Sequence, residues 1–140
     1  MAMFFVVDRF LKYLAINNLL PHLALGNFFA LAFIPNSFIA FSLPLSGTPL
    51  LVLVAIIMLT LISYIFYLII KKKSETLEVV LLTTILFGAI SNYMDRINYG
   101  FVIDYLDLKY FTVFNFADAM ICLGAAGIIL KNFKRHKKDV

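Results

Sequence analysis

The chain has 140 residues, of which 63% are hydrophobic and only 14% charged, with a net charge of +4 and a mean hydropathy of +0.96. That balance excludes an ordinary soluble domain, which is nearer half apolar and a quarter charged, and marks an integral membrane protein. A single cysteine, Cys122, excludes an internal disulfide framework.

The first stretch, MAMFFVVDRFLKYLAINNLL, is apolar but broken by Asp8, Arg9 and Lys12. It predicts a helix over residues 2–20. It has no basic start, no uninterrupted apolar run and no small-residue cleavage site, so it does not read as a cleavable signal peptide. Next comes NFFALAFIPNSFIAFSLPLSG, too apolar for a water-facing loop and broken by Pro35-Asn36; it predicts short strands or an element lying at the lipid surface. Residues 48–70 are free of charge and long enough for a hydrocarbon core of about 30 Å. The short link KKKSE, Lys71 to Glu75, leads into a further span over residues 77–95, so the two form an antiparallel hairpin. A last span covers residues 111–130 and ends in KNFKRHKKDV.

Lys71, Lys72, Lys73, Lys131, Lys134, Arg135, Lys137 and Lys138 fall beside one face, which the positive-inside rule makes cytoplasmic. The expected fold class is therefore all-α integral membrane. It has four transmembrane helices in one domain over residues 1–140, both termini cytoplasmic, and a small extracytoplasmic β or amphipathic element in the first outer loop. The basic excess orients the chain and is no nucleic-acid footprint.

The acidic residues Asp8, Asp95, Asp104, Asp107 and Asp118 map to the outer half or the outer loops. Glu75, Glu78 and Asp139 lie on the inner side, with no role assigned. Asn92, Asp95 and Arg96 share a helix face by their i, i+3 and i+4 spacing, as do Asn115 with Asp118 and Asp8 with Lys12. Ionisable groups in a membrane are costly and face partners or water, so three polar faces at one depth predict a shared pocket just below the outer surface.

That pocket has no Ser/His or Cys/His pair suited to nucleophilic attack. His22 and His136 lie on opposite sides, Cys122 reads as a small packing residue about one turn deeper than Asp118, and no cluster has zinc-ligand spacing. Carboxylates remain. Two brought close share a proton; the ionised one takes a proton from water and the protonated one polarises a peptide carbonyl. Asp118, the most deeply placed, is the first member, and Asp95, Asp104 or Asp107 supplies the second. Asp95 beside Arg96 reads as an ion-pair anchor, and Asp107 as a solvated turn residue. Asp104, flanked by Val102, Ile103 and Tyr105, has the apolar setting that raises a carboxyl pKa.

The motifs resemble those of the lipoprotein signal peptidases (signal peptidase II), bacterial membrane aspartyl proteases. NYMDRINYGFVIDY is similar to the family's Asn-x-x-Asp-Arg followed by Gly-x-Val-x-Asp-Phe. FNFADAMI is similar to its Phe-Asn-x-Ala-Asp block, DRFLK to its Asp-Gln-x-x-Lys, and NSFIAFS to its Asn-x-Gly-x-Ala-Phe. The chain diverges at Arg9, where Gln is usual, at Phe38, where Gly is usual, and at Phe87 and Ser91, which replace two glycines.

The resemblance implies that Asp104 and Asp118 are the catalytic pair, supported by Asn36, Asn92, Asp95, Arg96, Asn115, Asp8 and Lys12. It implies a diacylglyceryl-modified prolipoprotein substrate cut just before the lipidated cysteine, and inhibition by the cyclic peptide globomycin. No metal or organic cofactor and no nucleic acid enter the reaction. The enzyme would be a monomer in the lipid of the bacterial inner membrane, its site toward the extracytoplasmic face. The rival reading is non-catalytic: a lipopeptide-binding degenerate homologue, or a four-span transporter or assembly subunit.

Overall fold

The computed structural model describes residues 1–21, 23–26, 28–37, 46–71, 76–110 and 112–136. Phe38 and the basic positions 72, 73, 137 and 138 lie outside the described residues, as does His22. Among these residues four helices, α1 (Ala2–Ile16), α2 (Gly47–Lys71), α3 (Thr76–Tyr99) and α4 (Phe116–His136), carry a small antiparallel sheet. Its strands β1 (Ala24–Leu25), β2 (Phe29–Asn36), β3 (Val102–Leu108) and β4 (Thr112–Phe114) lie in sequence order.

Among the described residues, three helices, over Gly47–Lys71, Leu77–Tyr99 and Phe116–Lys134, are long and apolar enough to cross a membrane. The fourth expected span is not among them. Helix α1 has 15 residues, a rise of about 22 Å against a core of about 30 Å. It stops at Ile16, short of residue 20, because Asn17 and Asn18 form a turn. Asn18 takes a left-handed φ of 55°, a conformation Asn tolerates, and its N–H donates to the Ala15 carbonyl while Leu19 N–H donates to Leu14.

The chain is mostly helical as expected, and its small sheet draws on both connecting segments rather than on the first alone. Helix α3 runs past residue 95 to Tyr99, where Gly100 (φ 80°) donates its N–H to the Arg96 carbonyl and turns the chain into β3. Of the stretch 111–115, read as helix from its apolar composition, Thr112–Phe114 instead form β4, and α4 begins only at Phe116; residue 111 lies outside the described residues. The expected β element in the first connecting segment is present as β1 and β2. Pro35 sits at the end of β2 that β1 does not reach, where a missing N–H is tolerated. Asp107, expected in an exposed turn, is a half-buried residue of β3, paired in register with Ala30 and Val113.

Strand alternation sends Ile103 and Tyr105 to one face, where they pack with Ala15 of α1. Asp104, between them, points the other way. Phe33 and Phe101 meet at 6.1 Å between ring centroids, and Tyr99 meets Phe101 at the same distance, joining the sheet to the end of α3.

Helices α3 and α4 form the tightest seam. A Cβ built on Gly88 would lie 2.5 Å from the Ala117 carbonyl oxygen, and one on Gly124 would meet the Leu81 carbonyl at 2.9 Å. Close approach through small residues is how apolar helices associate where no hydrophobic drive exists between them. At the far end of the seam Lys131 pairs with Glu78 at 2.8 Å, and the Tyr64 hydroxyl of α2 also donates to Glu78. Glu78, given no role from sequence, thus ties three helices together. Cys122, expected as a packing residue, is exposed on α4.

Gly88→Ala forces a Cβ against backbone that cannot yield, and should destabilise the fold by about 1–3 kcal/mol. Gly127→Ala meets only the flexible Leu81 side chain and should cost clearly less. Thermal unfolding of both variants in detergent checks this; equal losses would mean that the seam has slack at Gly88.

Candidate active site

The polar residues of α1, α3, β3 and α4 converge where α4 begins. A helix start leaves its first N–H groups without intrahelical partners, and in apolar surroundings each must find one. Asn115 is the N-cap of α4. Its Oδ1 accepts the Asp118 N–H at 2.9 Å, and the Asp118 Oδ2 accepts the Asn115 N–H at 3.2 Å. This is a reciprocal capping box built from the Asn-Phe-Ala-Asp stretch. The next two amides go further afield. Phe116 N–H donates to the Tyr105 hydroxyl at 3.0 Å, and Ala117 N–H donates to Asp8 Oδ1 at 3.1 Å. The Tyr105 hydroxyl itself donates to Asp8 Oδ1 at 2.8 Å. Burial raises the Tyr105 phenol's pKa, with the neighbouring Asp8 charge adding to it, so the hydroxyl keeps the proton it donates.

Asp8 and Asp95 are both buried, and two cations answer them. Lys12 Nζ lies 3.1 Å from Asp8 Oδ2 and 2.7 Å from Asp95 Oδ2, while the Arg9 guanidinium pairs with Asp95 Oδ1. The Ser91 hydroxyl donates to Asp8 and accepts from Lys12 and Arg9. Asp95 was expected to anchor on its neighbour Arg96. Arg96 lies within electrostatic reach of it, and ion pairs also reach it from α1, which lies directly across. Asp95 Oδ2 also accepts the Ile103 N–H at 3.3 Å, which fixes the start of β3. Arg96 lies within electrostatic reach of Asp118, Asp104 and Asp95.

The two remaining carboxylates meet through asparagines. Asn115 Nδ2 donates to Asp104 Oδ1 at 2.7 Å and to Asn92 Oδ1 at 3.2 Å. Asn92 Nδ2 donates to Asp118 Oδ1 at 2.7 Å, and Lys12 donates to Asn92 Oδ1 at 2.7 Å. Asn36 of β2 donates to Asp104 Oδ2 at 3.0 Å. Burial pushes the Asp104 pKa up to about 6. The Asn36 hydrogen bond opposes this, the Asp118 charge adds to it, and Asn115 and Lys12 pull down. All nine site residues expected from sequence therefore fall in one region; Asp107 remains apart on the sheet. Among the described residues, no group of three His, Cys, Asp or Glu could hold a metal ion.

Sequence reasoning missed Arg9, Ser91 and Tyr105. Ser91 stands four residues before Asp95 on one helix face, a signal that was available. The Asn115–Asp118 spacing was read as a shared face; it also carries the capping-box signature.

The profile of the family described as Signal peptidase (SPase) II matches residues 1–134 of this chain. The chain belongs to the signal peptidase II family. A lipoprotein signal peptidase of Caldanaerobacter subterraneus subsp. tengcongensis is 34% identical over 123 residues, covering 85% of this chain and 83% of that relative. One from Bartonella quintana is 37% identical over 148 residues, covering 94% and 86%. A solved structure described as a bacterial membrane enzyme superposes with a TM-score of 0.84 at 22% identity, covering 99% of this chain and 88% of that one. That likeness concerns the fold. The signal peptidase II family makes the chain a peptidase, and its apolar helices agree with a membrane protein.

The raised pKa of Asp104 carries a sign. A carboxyl whose folded-state pKa exceeds its ordinary value of 3.8 binds its proton more tightly when folded. Its ionisation penalty is absent below about pH 4 and grows as pH rises to about 6, so stability falls across that window. Asp104→Asn should flatten this part of the curve. Thermal unfolding in detergent at about pH 4.5 and about pH 7 tests it: matching slopes in the two proteins would mean that Asp104 is not held in an environment that disfavours its charge.

Proposed function

We propose that the protein is a membrane aspartic endopeptidase that removes signal peptides from diacylglyceryl-modified prolipoproteins, cutting before the lipidated cysteine. The observation that carries this reading is the Asp104–Asn115–Asp118 arrangement: two carboxylates on different elements, joined through one asparagine and electrostatically coupled. The relatives' name supplies the substrate class.

In this mechanism one carboxylate is ionised and takes a proton from a water molecule, whose oxygen attacks the peptide carbonyl. The other carries a proton and donates it to the developing oxyanion. Collapse of the tetrahedral intermediate breaks the C–N bond, with a proton delivered to the leaving amine. An Asp104 pKa near 6 suits a group that gives and takes a proton close to neutral pH. Arg96, within reach of both carboxylates, supports a role in holding the substrate backbone. Asn36, on the strand beside Asp104, supports a sheet that cradles the peptide.

The site gathers at the end of the bundle away from the α2–α3 link. With the positive charges beside that link taken as cytoplasmic, the site faces the extracytoplasmic side of the bacterial inner membrane and both termini face the cytoplasm. A lipid-anchored substrate would reach it by diffusion in the bilayer. In this reading α1 is the fourth membrane helix, the whole chain is one domain acting as a monomer, and globomycin occupies the same pocket. Polar groups clustered at one end of the helices, away from the midplane a transporter would use, favour cleavage over transport.

The test is cleavage of a synthetic diacylglyceryl-cysteine peptide by the purified protein in detergent. The wild type should cut it and leave the unmodified peptide intact. Asp104→Asn and Asp118→Asn should each lose activity by roughly two to four orders of magnitude. Asp118→Asn should also lose some stability, because two donors, Asn92 Nδ2 and the Asn115 N–H, converge on its two oxygens and an amide supplies one acceptor. A folded Asp104→Asn protein that cleaves at the wild-type rate would overturn the assignment.

A further inference from the structure

Arg9 is a charged side chain at the site for which the proposed mechanism has no use. One of its nitrogens, Nη1, donates to the Ser91 carbonyl at 3.2 Å and to the Ser91 hydroxyl at 3.4 Å, and pairs with Asp95 Oδ1. Its side chain is 24% exposed, whereas Asp95 is fully buried. Arg9 thus closes the rim of a cluster whose other members are sealed.

Two features connect that rim to the reacting groups. The first is geometric. Asp95, held by Arg9 on one oxygen, uses the other to fix the Ile103 N–H and to bind Lys12. Ile103 directly precedes Asp104, and its carbonyl also accepts from Asn115 Nδ2 at 3.4 Å. A shift of Asp95 therefore moves the backbone that carries Asp104. The second feature is electrostatic. Asp8 and Asp95 balance Lys12 and Arg9, so the cluster is neutral. Without Arg9, Asp95 would lose a direct ion-pair partner and the site one positive charge, leaving Lys12 and Arg96 to offset the carboxylates in surroundings that screen charge poorly. The charged and titratable groups facing it are Asp8 and Lys12 on α1, Asp95 and Arg96 on α3, Asp104 and Tyr105 on β3, and Asp118 on α4. Strand β2 presents the neutral Asn36, and the one charge on α2, Lys71, lies at the far end.

We propose that Arg9 is a positioning residue for peptide cleavage, acting through Asp95 and the Ile103 backbone on Asp104, with Ser91 as its docking point. This rests on the peptidase reading above. It deepens that reading by assigning a role to a residue that touches neither substrate nor the reacting carboxylates.

The experiment compares wild type, Arg9→Gln and Arg9→Lys in cleavage of the diacylglyceryl-cysteine peptide across pH, with thermal unfolding measured alongside. Arg9→Gln should lower kcat by about tenfold while KM changes by less than about twofold. Removing a positive charge favours protonated carboxyls, so both limbs of its pH–activity profile should move to higher pH by about half a pH unit. Arg9→Lys keeps the charge but ends one bond short of the Nη1 position. Its limbs should stay where the wild type has them, with kcat reduced about threefold and thus between the other two. An activity loss in Arg9→Gln that only tracks the unfolded fraction, with unmoved pH limbs, would make Arg9 a mere fastener and overturn the proposal. If Arg9→Gln does not fold, Arg9→Lys decides: a folded protein with wild-type kcat overturns positioning, and reduced kcat at unchanged KM supports it. A wild type that does not cleave the peptide defeats the peptidase reading itself, and this inference with it.

Discussion

Everything at this site depends on the unpaired amides at the start of α4. A helix that begins beside apolar neighbours exposes several N–H groups that neither water nor its own turns can serve. Asn115 and Asp118 serve each other's amides, Tyr105 takes the first helical one and Asp8 the second. Those partners come from α1, β3 and α4 itself, so a local bonding requirement dictates how three elements sit together. It also explains why a carboxylate stands inside an otherwise oily segment. Asp118 lies in the first turn, where the helix dipole favours negative charge and an amide awaits an acceptor. In the proposed mechanism this same group, with its firm structural reason to be there, is one of the two that carry the chemistry.

Asp8 links this requirement to the ion cluster, since the oxygen that does not cap α4 binds Lys12 and Ser91. A buried pair of this kind is costly to make and more costly to break, because loss of one partner strands the other in a poorly screening medium. Asn92 then carries the order of the cluster outward. Its oxygen accepts from Lys12 and Asn115 while its nitrogen donates to Asp118, so the amide has one workable orientation and the carboxylate one workable place.

Much of this could be read from residue order, and what could not has physical causes. The uninterrupted apolar runs of α2 and α3 left little freedom, and their expected limits, 48–70 and 77–95, lie within a few residues of Gly47–Lys71 and Thr76–Tyr99. The stretch from Val102 to Asn115 was harder. In oily surroundings a strand and a helix can share the same composition, so Phe111 to Asn115 looked helical until the capping box fixed where α4 begins. The spacing of Asp8 with Lys12, Asn92 with Asp95, and Asn115 with Asp118 revealed faces on single helices. It could not reveal which face met which. The bond from Ala117 to Asp8 spans 109 positions, and no local pattern announces it. Arg9 was visible as a divergence but its role was not, for the same reason: its partners lie on another helix, more than 80 positions away.

The short first helix has a consequence for biogenesis. Emerging from the ribosome, it bears Asp8, Arg9 and Lys12 within five residues. Lys12 can answer Asp8 within the helix, but Asp95, which answers Arg9, and the α4 amide that engages Asp8 are synthesised much later. A lone segment so charged is a poor passenger for the lipid interior. Its charges are fully answered only once α3 and α4 are in place to receive it. The polar cluster at this end of the molecule thus forms only when helices distant in the sequence have come together.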